Sequence, residues 1–216
     1  MAERILLNGI DDLEFQDAVS KALKYLTFGG VIIAAAEHGY IYLAKAFKKE
    51  AIKTIHILRG NSAGVVLQVL ISDEKVSSGI ATALTVQQQE VLKTFWPGLL
   101  SVTVNSQPAL TWNLGDERKL GKVNLRVPKR RFLNAILEQS GPLAISSASP
   151  IGLGITLDLG KLVINDNDVA AVFDEGVLTE GLLSTWLEFS EKEITLKRLG
   201  AITIEQLQGI IPTLSA

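Results

Sequence analysis

Two short stretches of this 216-residue chain bring together groups that could act on a charged ligand. Glu37-His38 follows the apolar run Val31 to Ala36. Strand ends in α/β proteins are where ligands often bind, and an imidazole beside a carboxylate can serve as acid or base. The same pair would also suit a solvated turn. Arg126-Val-Pro-Lys129-Arg130-Arg131 sets four cations within six residues, where a helix is expected to start. Helix N-termini favour anions, so this costly choice points to a grip on phosphate or on an RNA backbone. The alternative is a solvated face balanced by acids such as Glu138. Ser146 to Ser149 could cradle an anion or simply satisfy a turn. His56 lies in an apolar stretch and reads as a hydrogen-bonded structural histidine. Asp166, Asp168 and Asp174-Glu175 read as loop acids. The common nucleotide loops G-x-x-x-x-G-K-S/T and G-x-G-x-x-G are absent, as are G-x-S-x-G and H-E-x-x-H.

Composition narrows the classes further. Lys and Arg number 21 against 23 Asp and Glu, a net charge of −2 that excludes polybasic-tail biology but not a local basic patch. The hydrophobic fraction of 47% excludes a disordered chain. Cysteine is absent, which removes disulfides, thiolate nucleophiles and Cys-based metal centres. Two histidines are too few for a His-rich site, so no protein-ligated transition metal is expected. No run approaches the ~20 apolar residues of a membrane span, and no signal pattern opens the chain. The expectation is a soluble cytoplasmic protein without membrane contact.

The elements that must position these groups follow from periodicity. Asp11-Asp12 opens a helix with Phe15, Ala18, Val19, Ala22, Leu23 and Leu26 on one face, ended by Gly29-Gly30. Val31 to Ala36 is expected as a buried strand. Thr54–Leu58 and Gly64–Ile71 read as two more, split by a turn at Gly60 to Gly64. Thr85-x-x-Gln88 has capping-box spacing and opens a helix that stops before Pro97. Leu100–Val104, Val123–Val127, Leu143–Ser146, Val169–Phe173, Leu182–Phe189 and Glu193–Arg198 read as strands, the last two as a hairpin. Residues 105–122 read as a surface loop. Pro128 suits the start of a helix through Phe132, Leu133, Ile136 and Leu137, broken at Gly141-Pro142. Thr203-x-x-Gln206 caps a closing helix. The whole predicts one α/β domain over residues 1–216 with a twisted mixed sheet, flanking helices and an open basic cleft.

Read in order, several segments resemble the YrdC-like family (YrdC/YciO/YwlC). Gly29-Gly-Val-Ile-Ile-Ala-Ala-Ala-Glu-His-Gly-Tyr40 resembles G-G-x-x-x-x-P-T-D/E-T-x-Y, and Phe95-Trp-Pro-Gly-Leu-Leu-Ser101 resembles F-W-P-G-P-L-T. Leu125-Arg-Val-Pro128 carries the R-x-P, and Gly141-Pro-Leu-Ala-Ile-Ser-Ser-Ala-Ser149 is similar to G-x-P-L-x-x-T-S-A-N, with Gly152 at its terminal glycine. Asp174-Glu-Gly176, Ser184-Thr185 and Lys197-Arg-Leu-Gly-Ala-Ile202 resemble the closing D-x-G, S-T and L-R-x-G-A-I. The order holds from about residue 10 to about residue 205 and ends where the family's short form ends. Active members make L-threonylcarbamoyladenylate from ATP, L-threonine and bicarbonate for the N6-threonylcarbamoyladenosine modification of tRNA. The resemblance implies a nucleotide or anion site at Arg59, Arg126, Ser147, Ser149, Ser184, Thr185 and Arg198. It implies an amino-acid pocket at Glu37, His38, Tyr40, Asn61 and Ser101.

Departures from the pattern bear on activity. P-T-D/E-T stands here as Ala35-Ala36-Glu37-His38, so both threonines are replaced. The K-x-R pair falls at Arg59-Gly60-Asn61, which keeps one cation, and the S-A-N asparagine is Ser149. In the family reaction, a carbamate of threonine attacks the ATP α-phosphate and expels pyrophosphate, so the protein mainly orients ligands and neutralises charge. One missing cation in such a site costs ~3 kcal/mol, or ~10²-fold. The resemblance with these departures implies a binding module for a nucleotide or for double-stranded RNA or tRNA, with weakened or lost catalysis. Lys129, Arg130 and Arg131 would grip the RNA backbone. The alternative is an active synthase using ATP, Mg²⁺ and an amino acid.

Overall fold

The computed structural model describes residues 2–119, 121–163 and 168–214. Ten strands form one mixed sheet in the order β1-β8-β2-β3-β7-β4-β6-β5-β9-β10. They are β1 (Glu3–Leu6), β2 (Ile32–Ala36), β3 (Gly39–Lys45), β4 (Gln68–Leu70), β5 (Leu100–Asn105), β6 (Lys122–Arg126), β7 (Leu143–Ser147), β8 (Ala171–Asp174), β9 (Thr185–Phe189) and β10 (Ile194–Arg198). The helices are α1 (Asp12–Thr27), α2 (Lys49–Arg59), α3 (Val86–Phe95), α4 (Arg131–Ser140) and α5 (Ile204–Gln208). Asp11, which the sequence places at the acidic start of α1, caps it: its carboxylate accepts from the Glu14 amide, and Glu14 reaches back to the Asp11 amide. Thr85 and Thr203 do the same for α3 and α5.

The sheet has two unlike faces. One is covered along its length by a core that includes Ala51, Ile52 and Ile55 of α2, Val91 and Leu92 of α3, and Leu207 of α5. The other face is covered by α1 and α4 mainly over β8, β2, β3 and part of β7, with Ile5 of β1 and Leu70 of β4 at the margins of that core. There Phe15 of α1 meets Phe132 of α4 edge-on at 6.2 Å, and Phe132 lies 4.7 Å from Phe173 of β8. Beyond β7, no helix covers this face among the described residues. The strands there alternate accordingly. Val123 and Leu125 of β6, Val102 and Val104 of β5, and Leu187 and Phe189 of β9 enter the core, while the residues between them are polar or amphipathic and only partly covered. Period-2 alternation marks a sheet with one dry and one wet face.

Several sequence expectations are corrected. Thr54–Leu58 is the second half of α2 rather than a strand, because Ala51, Ile52 and Ile55 form a buried helical stripe. Gly60 closes that helix in the left-handed conformation, φ 75°. The strand expected over Gly64–Ile71 shrinks to Gln68–Leu70. β3 carries no alternation because both of its faces are buried, and periodicity missed it. It requires glycine at its first residue: a Cβ on Gly39 would lie 2.1 Å from Cγ2 of Ile155. α4 begins at Arg131 instead of Pro128, with Arg130 at the cap. The segment read as a surface loop buries Trp112 and Leu114, and Trp112 stacks on Phe47 at 5.3 Å. Asp174 ends β8 and is buried, contrary to its reading as a loop acid; Asp168 is exposed, and Asp166 lies outside the described residues.

Phe132 joins α1, α4 and β8 in one layer, so its truncation tests that layer. Phe132→Ala is expected to cost about 3–5 kcal/mol in urea unfolding; a loss below about 1 kcal/mol would show that the layer does not rest on this ring.

Candidate functional site: an anion-binding cleft on the bare half of the sheet

The uncovered half of the sheet is a cleft of about 540 Å³. Its size suits a small-molecule ligand. Arg126 and Arg198 line it, with Ser101, Ser147 and Ser184. The tight β2–β3 turn brings Glu37 and His38 to the same wall. Seven of the residues singled out from the sequence therefore meet here, drawn from four strands, the residue before β9 and one turn.

Arg126 is 1% exposed. Its Nε donates to the Gly98 carbonyl at 3.0 Å, and its Nη2 forms an ion pair with Oε2 of Glu37. The other Glu37 oxygen accepts from the Lys129 amide at 2.7 Å. Burial alone would raise the Glu37 carboxyl, but the charge and hydrogen bond of Arg126 and the Lys129 amide hold it below its ordinary value. The Phe95-Trp-Pro-Gly98 segment therefore serves the site by presenting one carbonyl to the guanidinium. His38 is held neutral: burial, then the charges of Arg126 and Arg198 against the opposing Glu37, lower it to about 4. Its Nδ1 is buried without a hydrogen-bond partner among the described residues.

Arg198 reaches Ser184, its Nη2 donating to the carbonyl at 2.9 Å and to Oγ at 3.1 Å. Ser184 Oγ lies 2.8 Å from Ser101 Oγ. The network continues through Gln68, whose Nε2 donates to Ser101 Oγ at 2.8 Å and to Oδ1 of Asn124. Asn124 Nδ2 donates to Thr103 Oγ1 at 3.0 Å, and Trp186 Nε1 donates to the same oxygen at 2.8 Å. Gln68, Thr103, Asn124 and Trp186 all line the cleft, and the sequence reading missed them. The signal was present in the alternation of Ser101-Val-Thr-Val and Lys122-Val-Asn-Leu-Arg.

Other singled-out residues stand apart from the cleft wall. Arg59 Nη1 clasps the Ser149–Pro150 segment through the Ser149 carbonyl, Ser149 Oγ at 2.9 Å and the Pro150 carbonyl at 2.9 Å. Ser149 touches the site indirectly, its Oγ 3.1 Å from that of Ser147. Asn61 hydrogen-bonds His56 Nδ1 at 2.9 Å, while His56 Nε2 meets the Leu114 carbonyl at 3.0 Å. His56 is thus a structural histidine, although on a helix. Tyr40 is buried on the opposite face, its hydroxyl meeting Gly176 O at 2.6 Å and Asp174 Oδ1 at 3.0 Å. Thr185 Oγ1 accepts from the amides of Gly200 and Ile202, tying β9 to the segment after β10. Arg130 pairs with Glu175 at 3.0 Å, and Arg131 pairs with Asp12 at 2.6 Å while lying over the Phe15 ring. Those acids offset the cation-rich helix start, and of the run only Arg126 faces the cleft.

Two guanidiniums among serine hydroxyls suit a phosphate-bearing ligand. No group of three or more His, Asp or Glu side chains able to hold a metal gathers among the described residues. Glu37 is the carboxylate on the cleft wall, and Arg126 engages it. No described helix is long and apolar enough to cross a membrane.

A mixed sheet with one half-bare face and a cationic, serine-lined cleft defines a small α/β domain. The chain belongs to the Sua5/YciO/YrdC family, whose model, described as telomere recombination, matches residues 24–200. It is 25% identical over 198 residues to a putative threonylcarbamoyl-AMP synthase of Mycobacterium leprae, covering 90% of this chain and 89% of that protein. It is 26% identical over 213 residues to the threonylcarbamoyl-AMP synthase of Bacillus subtilis, covering 97% of this chain but 61% of that one. Its fold matches P. abyssi Sua5 complexed with L-threonine, with TM-score 0.83 and 20% identity over 100% of this chain and 62% of that one. It matches E. coli YciO with TM-score 0.79 and 19% identity over 96% and 98% of the two chains. The chain thus spans about three-fifths of the Bacillus and P. abyssi proteins.

Two outcomes test this electrostatic picture. His38 resists protonation when folded, so the unfolded chain binds the extra proton and stability falls as pH is lowered from about 6.5 toward about 4. Between pH 7 and 5 the His38 contribution amounts to about 2 kcal/mol. His38→Gln should flatten the urea-midpoint profile over that range; an unchanged slope would refute the assignment. Glu37→Gln leaves a buried guanidinium without its counter-charge and is expected to cost about 3 kcal/mol. Added pyrophosphate should then raise the melting temperature of the variant more than that of the parent. Equal shifts would mean that Glu37 does not compete with anions for Arg126.

Proposed function

We propose that this protein binds an adenylate-type nucleotide in the cleft as a YrdC-like module in which threonylcarbamoyl-AMP synthesis is weakened. The observation that carries the reading is the state of Arg126: it lines the cleft, yet Glu37 of the same chain already neutralises it. An incoming phosphate must share or displace that carboxylate, which costs binding and misplaces charge relative to the reacting α-phosphate. His38, uncharged and bulkier, stands where the resemblance puts a threonine, and Asn61, where it puts a cation, is engaged with His56.

Support for the nucleotide class comes from Arg198, Ser101, Ser147 and Ser184 on the remaining walls. The M. leprae relative is named as a putative threonylcarbamoyl-AMP synthase, and the similar P. abyssi protein is complexed with L-threonine. In this reading Arg126 and Arg198 orient the phosphates and the serine hydroxyls hold their remaining oxygens. Mg²⁺ would arrive on the phosphates of the nucleotide, since the wall offers no free carboxylate among the described residues. The RNA reading is less favoured, because Arg130 and Arg131 are engaged by Glu175 and Asp12.

The test pairs calorimetry with pyrophosphate release. ATP should bind, Arg198→Ala should weaken it about tenfold, and threonine with bicarbonate should release pyrophosphate no faster than ATP alone. Threonine-dependent turnover would establish an active synthase instead. Salt-sensitive RNA binding without ATP binding would replace the nucleotide reading with an RNA module.

A further inference from the structure

Away from the cleft, two exposed rings and four lysines gather at one end of the sheet. β2 and β3 pair from Ile32 with Leu43 to Ala36 with Gly39, and the turn carrying Glu37 and His38 joins them. The segments before β2 and after β3 therefore emerge together at the far end. Phe28 follows α1 there and is 80% exposed, and Phe47 follows β3 and is 56% exposed. The segments are close: a Cβ on Gly29 would lie 3.8 Å from Cδ of Lys48. Lys24 stands one helical turn before Phe28. Lys45, Lys48 and Lys49 flank Phe47. Among the described residues none of these lysines is in an ion pair, whereas Lys21, Lys53, Lys119, Lys122 and Lys197 all are. Glu50, the acid beside them in sequence, is taken by Lys53.

This charge is left uncompensated. The cations at Arg126, Arg130 and Arg131 are answered by Glu37, Glu175 and Asp12. No acid among the described residues answers Lys48 and Lys49, which also crowd the positive end of the α2 dipole. The rings are a second cost, since an exposed phenylalanine keeps apolar surface in water and has no polar atom to offer. Phe47 is moreover held in place, stacked at 5.3 Å on the buried Trp112. A partner that relieves both costs is anionic and has apolar depth close behind its charge. An anionic bilayer surface has both properties. Geometry favours it over a strand of nucleic acid. Trp112 belongs to the core that α2 covers, which puts Phe47 on that side of the sheet, while Phe28 extends α1 on the other. Rings on opposite sides of a sheet are not a platform for successive stacked bases, but both can enter one flat surface lying across the end of the sheet. Such contact needs no membrane-spanning run.

We propose that this end of the protein docks on an anionic lipid surface, with Phe28 and Phe47 entering the headgroup layer and Lys24, Lys45, Lys48 and Lys49 meeting the lipid phosphates. Each lysine at such a surface contributes about fivefold in partitioning, so the dock is reversible and weakens as salt is raised. Glu37 and His38 of the cleft wall lie at the other end of β2 and β3 and stay uncovered. The proposal stands independently of the nucleotide reading.

The test is co-sedimentation of the full chain with vesicles of phosphatidylcholine alone and of phosphatidylcholine mixed equally with phosphatidylglycerol. The parent should bind the mixed vesicles about tenfold or more tightly than the neutral ones, and raised salt should release it. The double variant Lys48→Glu/Lys49→Glu should lose that preference about tenfold or more. Phe28→Ser, at a side chain exposed enough for the fold to be kept, should weaken binding to the mixed vesicles about fivefold with an unchanged urea midpoint. Equal binding to both kinds of vesicle, or to neither, overturns the proposal, as do variants that bind like the parent. A labelled single-stranded RNA retained by the parent and released by the same variants, without vesicle binding, would assign the patch to nucleic acid and overturn the lipid dock.

Discussion

The ion pair between Arg126 and Glu37 joins two parts of the sheet that are distant in sequence. Arg126 ends β6, deep in the bare half, while Glu37 sits in the turn between β2 and β3, at the margin of the half that α1 and α4 cover. A guanidinium this buried needs a counter-charge and filled donors, because an unpaired buried charge is among the costliest features a fold can carry. The Glu37 carboxylate supplies the counter-charge, and the Gly98 carbonyl accepts from Nε. Much else is arranged around that need. The Lys129 amide orients Glu37, Arg130 braces the end of β2 through the Ala36 carbonyl, and Glu175 holds Arg130. The cation-rich stretch thus links β6 and α4 to the β2–β3 turn.

That arrangement also explains the character of the cleft. In an α/β sheet, a face without helices must be wet, and its side chains must satisfy one another or a ligand. Here they do so in a chain from Arg198 through Ser184, Ser101, Gln68 and Asn124 to Thr103 and Trp186. Such a network holds its members in fixed places, which is what recognition of a small ligand requires. The cationic end and the neutral end are parts of one surface, separated only by position along the strands.

Motif order in the sequence led correctly to the family, and two capping patterns placed helix starts within a residue. Both succeed for a local reason: a cap is a contact between residues three apart, and motif spacing is a property of the chain. The failures have a common physical source. Thr54 to Leu58 is rich in β-branched and apolar residues, and only packing against the core makes it a helix. β3 is buried on both faces and offers no alternation to read. Trp112 and Leu114 are buried in a polar segment, and Trp112 stacks on Phe47, more than sixty residues earlier.

By itself, the sequence determined the fold class, the alternation of β5, β6 and β9, and the residue types available for an anion site. It also carried the substitutions at Ala36, His38 and Asn61 that set the chain apart from the pattern it resembles. Tertiary structure alone decided which of those residues share a wall. Arg126 faces the cleft while Arg130 and Arg131 answer to Glu175 and Asp12, although all three sit within six residues. Tyr40 turns to the far face while His38, two residues away, lines the cleft. Gln68, Asn124, Thr103 and Trp186 come from four strands and meet only when the sheet closes its order. The reason is that direction across a strand is local, whereas adjacency between strands comes from long-range pairing that no short window of sequence contains.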